Sequence, residues 1–165
     1  MKTLLLFTAS YPFDGGAEQT FLDTEIVHLR REFDRVVLVP RKRTGSLLSI
    51  PASVEVDESY STSLDEVNLL AVFANILFSR LFFADIFSRP SLLLYPQAIK
   101  RLAAFVVGAQ LTRDWVLTWF ARNKTDPAEC VFYTYWFDQA SLGIGLVKQR
   151  HPQILLISRV HGYDL

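Results

Sequence analysis

The sequence of 165 residues has one cysteine and no excess of either charge. Because Cys130 has no second cysteine to pair with, an intramolecular disulfide is excluded, and a lone cysteine in an apolar stretch fits a small core residue in a reduced, cytosolic compartment. Seventeen basic residues balance seventeen acidic ones, so the chain lacks the positive field that holds a polyanion. Nucleic acid is therefore a poor candidate ligand.

Signal sequences and long uninterrupted apolar runs are also missing. Only four apolar residues follow Lys2 and Thr3, too few for the apolar region of a signal peptide. The most apolar long stretch, residues 69–87, is interrupted by Asn75, Arg80 and Asp85, whereas a membrane-spanning helix needs about 20 residues with few charges. We therefore expect no membrane-spanning segment.

The chain lacks the short signatures of cofactor and metal chemistry. Gly15 and Gly16, followed by Ala17 and Glu18, match neither the dinucleotide fingerprint nor the phosphate loop of nucleoside triphosphatases. No Ser-His-Asp arrangement, carboxylate pair or zinc-ligand spacing can be supported. We expect neither a metal nor a bound cofactor.

Alternating strand and helix patterns are present at both ends of the chain. Residues 4–7 and 36–40 form apolar runs of strand length, residues 54–56 form a shorter one, and the apolar periodicity between the first two runs predicts a helix with its core face at Leu22, Ile26, Leu29 and Phe33. Towards the other end, residues 129–136 and 154–158 read as strands that flank a helix over residues 139–149.

The middle third of the sequence is rich in apolar residues and is predicted to be helical. Ser63 and Glu66 match a capping box, which predicts a helix from Ser63 towards Phe87, and residues with helical spacing from Leu102 to Ala109 predict a second helix after Pro90 and Pro96. Apolar residues cover most of the first helix. This pattern indicates burial on several sides or an oily surface exposed for a partner.

The resulting order, β-α-β-β-α-α-β-α-β, predicts one α/β domain over residues 1–165. We expect a Rossmann-like, doubly wound, mainly parallel sheet with helices on both faces.

In such sheets ligands bind beyond the carboxyl ends of the strands, where the strand order reverses. Three segments follow predicted strands there and carry the least core-like residues: residues 8–16, 135–138 and 159–164. Their meeting point is the predicted site.

Each candidate in that site has more than one interpretation. Gly15 and Gly16 could admit a phosphate or sugar close to the backbone, or could form a turn. His161 could act on a reacting sugar, which we favour, or could be a structural histidine. Trp136 could stack on a sugar ring or belong to the core. Asp164 could accept from a hydroxyl, cap a following helix or orient His161.

A basic loop, Arg41, Lys42 and Arg43, could meet an anionic lipid or a phosphate, although a solvated loop is the commoner role for three such charges.

Three motifs in this order resemble a known family: the opening Leu-Leu-Leu-Phe-Thr-Ala-Ser-Tyr-Pro-Phe with Gly15 to Glu18, the strand Tyr-Thr-Tyr-Trp-Phe at residues 133–137, and Ser-Arg-Val-His-Gly-Tyr-Asp at residues 158–164. Together they resemble the N-terminal domain of bacterial GT-B glycosyltransferases, specifically the retaining glycosyltransferase family 4. The resemblance spans nearly the whole chain.

The resemblance implies the acceptor-side half of a two-domain enzyme. It places Gly15 and Gly16 near the donor phosphates and His161 near the transferred sugar, and we expect Tyr11, Glu18, Trp136, Arg159 and Asp164 to contact substrate. The family's paired glutamates, which hold the nucleotide-sugar co-substrate, belong to a second domain, so this chain alone should be inactive. Family members need no metal.

The expected role is in bacterial surface polysaccharide or lipid-linked oligosaccharide synthesis, in the cytoplasm or peripheral on the inner face of the cell membrane. The acceptor would be a saccharide or a lipid-linked saccharide. A non-catalytic module that docks on a membrane or protein, and another Rossmann-like ligand-binding enzyme domain, are the alternatives. We also expect the strand over residues 154–158 to expose an unpaired edge that could support self-association.

Overall fold

The computed structural model describes residues 2–14, 16–67, 72 and 75–161. These residues include five strands, five helices whose bounds are given below, further helical residues at 72 and 75–77, and two short 3-10 turns at Pro90–Leu94 and Pro127–Glu129. In chain order the elements are β1 Thr3–Thr8, α1 Gln19–Glu32, β2 Arg35–Pro40, β3 Val54–Val56, α2 Ser59–Asp65, α3 Arg80–Ser88, α4 Pro96–Asn123, β4 Cys130–Thr134, α5 Gln139–Lys148 and β5 Leu155–Ser158.

The five strands form one parallel sheet in the order β3-β2-β1-β4-β5. β1 lies at its centre, where Leu5 is in register with Val37 of β2 and with Phe132 of β4, and all six residues of β1 are buried. The chain winds outward from β1 through β2 to β3 and then returns to add β4 and β5 on the other side. The sheet therefore has the Rossmann-like, doubly wound order, with its switch point between β1 and β4.

Helices cover both faces of the sheet because neighbouring residues of β1 point in opposite directions. On one face, Leu4 and Leu6 pack with Leu22 and Ile26 of α1. On the other face, Leu5 and Phe7 pack against α2, α4 and α5. The α1 core face was therefore predicted correctly, and the helix ends at Glu32 because Phe33 adopts an extended backbone.

The predicted helix from Ser63 to Phe87 is wrong. α2 already begins at Ser59, whose backbone N–H donates to the Asp57 carboxylate (3.0 Å), and it ends at Asp65. Ser63 lies inside this helix and donates to the Tyr60 carbonyl instead of capping. A new helix, α3, begins after Ser79, whose hydroxyl accepts the Phe82 N–H (3.2 Å). Residues 68–71, 73 and 74 lie outside the described part of the chain.

α4 is much longer than the strands it crosses. Its 28 residues span about 42 Å, whereas the six residues of β1 span about 20 Å. The C-terminal end of α4 lies at the amino edge of the sheet, where Asn123 accepts from Arg35 at the start of β2. The opposite end, in which burial begins only at Val106, therefore projects past the carboxyl edge. We call residues 75–105 the helical arm; it comprises residues 75–79, α3, the first 3-10 turn and this projecting end.

β5 forms one edge of the sheet and, within the described residues, pairs only with β4. Leu155 and Ile157 are about half exposed, as the prediction of an unpaired edge requires. None of the helices in the described ranges combines the length and apolar character needed to span a bilayer.

Candidate functional site

The loops after β1, β4 and β5 meet at the carboxyl edge of the sheet. The Tyr135 N–H donates to the Phe7 carbonyl (2.9 Å), and the Arg159 N–H donates to the Thr134 carbonyl (3.0 Å). These bonds continue the strand pairing by one residue beyond each strand. The predicted meeting of the three segments is confirmed for their described residues, whereas Gly15 and Asp164 lie outside them.

Glu18 joins the loop after β1 to the loop after β4. Its side chain is buried, with 1% exposure. One carboxylate oxygen accepts the Ala9 N–H (2.5 Å) and the Trp136 Nε1–H (2.7 Å), and the other accepts the backbone N–H groups of Ser10 and Tyr11 (3.1 Å each). Both oxygens are thus used by protein donors, and Glu18 holds the loop geometry. Contact with substrate stays a prediction for this residue.

Tyr11 lies in the core beneath the site. Its ring packs in the cluster on the α1 face, and its hydroxyl donates to Asp23 of α1 (3.0 Å). Burial, followed by the hydrogen bond to Asp23, raises the pKa of the Tyr11 phenol well above its usual range. The phenol therefore points towards α1. The predicted substrate contact of Tyr11 would have to involve its backbone.

Gly16 packs closely against the same loop. A Cβ atom at this position would lie 2.3 Å from the Ser10 hydroxyl oxygen. The Gly16 carbonyl also accepts the Gln19 N–H (3.3 Å) at the start of α1. These contacts support the turn interpretation for Gly16, because a tightly closed turn leaves this position little space.

His161 stacks on the aromatic residues that follow β4. Its ring centroid lies 4.3 Å from that of Trp136 and 5.1 Å from that of Tyr135. Its Nε2 atom lies 3.1 Å from the Tyr135 carbonyl oxygen. Since a carbonyl only accepts, Nε2 is the protonated nitrogen, and in the neutral ring Nδ1 carries the acceptor lone pair. The structure therefore brings Trp136 and His161 into direct contact and fixes the tautomer of the imidazole.

Arg159 is held on the α1 side of the sheet. Its guanidinium lies 5.1 Å from the Tyr135 ring centroid and donates to Glu25 (3.2 Å), which also accepts the Tyr133 hydroxyl (2.9 Å). It lines an apolar groove of about 480 Å³ between α1 and β5. The Arg159 backbone thus belongs to the predicted site, while its side chain turns towards a different surface.

Two polar interactions at this edge were missed by the sequence analysis. Arg41, after β2, forms an ion pair with Asp138 (3.1 Å), which also accepts the Ala140 N–H (2.9 Å) and caps α5. Behind them, the hydroxyl groups of Thr134, Ser141 and Ser158 lie within 3.2 Å of one another. An aspartate just before a helix is a capping signal that the sequence does carry. Its pairing with Arg41 has no local signal.

The ion pairs also change the interpretation of the basic loop. Besides the Arg41 pair, Arg43 approaches Asp65 (2.8 Å) and Glu58 (3.8 Å). Arg41 and Arg43, two of the three cations in the basic loop, are therefore paired with carboxylates of the protein itself. This pairing makes the loop a weak candidate for a phosphate site.

The arrangement is suited to binding and positioning a ligand. It presents an indole and an imidazole in contact. Phe137, the residue after Trp136, lines an apolar groove of about 360 Å³ together with Phe105, Asp138, Ser141, Leu142 and Gly145. Cys130 is buried, as expected for a core residue, and burial raises the pKa of its thiol to about 11. Over the described residues, no group of three His, Cys, Asp or Glu side chains could hold a metal ion.

Comparison with known proteins gives no family or relative from which a function could be transferred. No protein-family model, curated protein or solved structure matches this chain. The fold itself shows a parallel α/β sheet with a switch point between β1 and β4, and the carboxyl edge of that sheet is the candidate ligand site.

Proposed function

We propose that the chain is the acceptor-side domain of a retaining GT-B glycosyltransferase that transfers a sugar from a nucleotide-sugar donor to a saccharide or lipid-linked acceptor. The observation that carries the proposal is the stacked pair of Trp136 and His161 at the switch point of the sheet. The three motifs that resemble glycosyltransferase family 4 overlap the three segments whose described residues meet there.

The physical fit to a sugar lies in the chemistry of the two rings. An indole offers a flat apolar face, against which the C–H groups of a pyranose can pack. The imidazole stacked on the indole places polar ring nitrogens next to that face. Because the Tyr135 carbonyl accepts from Nε2, the ring cannot rotate freely, and Glu18 fixes the indole through its Nε1–H. Both partners are therefore oriented before ligand binds.

The proposal assigns the donor nucleotide to a second domain. Glycines after β1 would lie near its phosphates, and His161 would contact the transferred sugar at the acceptor side. The nucleotide sugar is a co-substrate in this scheme, and neither a metal nor a bound cofactor takes part. We place the protein in bacterial surface polysaccharide or lipid-linked oligosaccharide synthesis, on the cytoplasmic side of the cell membrane.

Reading the parent gene beyond codon 165 is the first test. The proposal expects the frame to continue into a second α/β domain that carries two glutamates eight positions apart. A frame that stops at codon 165 would remove the catalytic proposal and favour a binding role.

The second test replaces His161 in the protein that contains both domains. His161→Ala should lower kcat for sugar transfer by roughly 10²-fold, the usual cost of one oriented polar group at a transition state. His28→Ala is the matched control, because His28 is exposed on α1. Equal activity of the two variants would contradict the role of His161, even if the enzyme proves to be a glycosyltransferase.

A further inference from the structure

The helical arm displays large apolar side chains to solvent. Among the described residues, eight of the fifteen exposed large apolar side chains lie within residues 75–105. Phe78 and Phe87 are the most exposed, at 82% and 80%, and Leu94 and Leu77 follow at 76% and 64%. Exposed residues of this size are usually scattered singly, so a concentration in one segment indicates an interaction surface.

α3 contributes two of its three phenylalanines to this surface. Phe82 is buried, whereas Phe83 and Phe87, four residues apart, share the exposed face, and their ring centroids lie 6.4 Å apart. Arg80 lies three residues before Phe83 and is exposed with it. The outward face is thus apolar with a cation at its end, the reverse of an ordinary solvated helix.

The charge of the arm differs from that of the chain. Residues 75–105 contain four basic residues, Arg80, Arg89, Lys100 and Arg101, and one acidic residue, Asp85, whereas the whole chain has seventeen of each sign. All four cations are exposed. No ion pair found among the described side chains involves them. A net charge of +3 is therefore presented beside the exposed phenylalanines.

This combination distinguishes between two occupants. If a second copy covered the arm through a two-fold axis, both contacting surfaces would carry the same net positive charge, and like charges across an interface are unfavourable. An anionic bilayer complements both features, since its headgroups attract the cations and its acyl boundary takes up the apolar rings. Because none of the described helices can span a bilayer, such binding would be interfacial.

We propose that the helical arm docks on the surface of an anionic lipid bilayer, with Phe78 and Phe87 inserted at the acyl boundary and the four cations at the lipid phosphates. The proposal does not depend on glycosyltransferase activity. It has a geometric consequence for the candidate site, because Phe105 of the arm and Phe137, next to Trp136, line the same apolar groove. Docking would hold the crevice beside the membrane surface.

Vesicle co-sedimentation of the chain tests this directly. We expect binding to equimolar phosphatidylcholine and phosphatidylglycerol vesicles, weakening as salt is added, and much less binding to phosphatidylcholine alone. Phe78→Ser with Phe87→Ser should lower the partition coefficient about tenfold or more, because two rings lose apolar burial. Lys100→Glu with Arg101→Glu should lower it by a similar factor.

Matched controls come from α1, on the opposite face of the sheet. Phe21→Ser replaces another exposed phenylalanine, and Arg30→Glu with Arg31→Glu reverses another exposed pair of cations. Neither control should change vesicle binding by more than about twofold. Absence of binding to both vesicle types, or equal losses in arm and α1 variants, would overturn the proposal. So would a dimer in sedimentation velocity that Phe78→Ser with Phe87→Ser converts to a monomer.

Discussion

Replacing Glu18 by alanine removes the acceptor shared by four N–H donors, three from the loop after β1 and one from Trp136. Hydrogen bonds to a charged group are each worth about 1.5–3 kcal/mol, and water entering the space would satisfy some of the donors. We therefore expect a loss of about 3–5 kcal/mol in the free energy of unfolding. This is a large share of the roughly 5–15 kcal/mol that stabilises a typical domain.

Urea unfolding followed by circular dichroism measures the loss. For a chain of this size, about 4 kcal/mol corresponds to a fall of about 8–16 °C in Tm. Glu18→Gln should not rescue stability, because the amide nitrogen would face two N–H donors where the second carboxylate oxygen now accepts. Trp136→Phe should cost less than Glu18→Ala, because it removes one of the four bonds and keeps an aromatic ring.

Glu32→Ala is the control, because Glu32 is exposed at the last position of α1, the helix that Glu18 precedes. It should change the free energy of unfolding by less than about 0.5 kcal/mol. If Glu18→Ala cost no more than about 1 kcal/mol, the assignment of Glu18 as the joint between the two loops would be refuted.

Two further predictions concern the packing of α5 and the response to high pH. Gly143→Ala should lower the free energy of unfolding by about 2 kcal/mol, because its Cβ would lie 2.5 Å from the Ala109 carbonyl oxygen. Gly145→Ala, with open space around its Cβ, should raise the free energy of unfolding by about 0.5–1 kcal/mol. Thermal melts compare the two variants, and equal effects would contradict the close packing at Gly143. Burial raises the pKa of the Cys130 thiol from 9.0 to about 11 and that of the Tyr60 phenol from 10.0 to about 12, so the folded state retains these protons longer than the unfolded state. The contribution of these two groups to stability should therefore be constant below about pH 9 and fall between about pH 9 and 12. Urea midpoints measured between about pH 9 and 12 in the wild type and in Cys130→Ala should show a smaller fall in the variant.

The elements that the sequence predicted correctly are those whose pattern is set by burial. A strand covered on both faces reads as a continuous apolar run, and residues 4–7, 36–40 and 130–134 do so because they form the centre of the sheet. The spacing of Leu22 and Ile26 predicted α1 for the same reason. The helix boundaries near Ser63 were wrong because a serine hydroxyl can cap a helix or donate to a carbonyl inside one, and composition does not choose between these.

The position of the candidate site followed from a topological rule, while its internal contacts did not. Three strand ends on one edge of a parallel sheet must lie together, which was enough to place Trp136 and His161 in one crevice. The use of Glu18 as a shared acceptor could not be foreseen, because Glu18 and Trp136 lie 118 positions apart in the chain. The same holds for Arg41 and Asp138, which lie 97 positions apart.

The central position of β1 also affects how the chain is made. β1 and β2 leave the ribosome first, but the other edge of β1 pairs with β4, about ninety residues after the end of β2. At about 5–20 residues per second, translation of that interval takes about 5–20 seconds. During this time Leu4, Leu5 and Leu6 have only one strand partner, so the nascent chain presents an apolar strand edge to chaperones and to other nascent chains until β4 emerges.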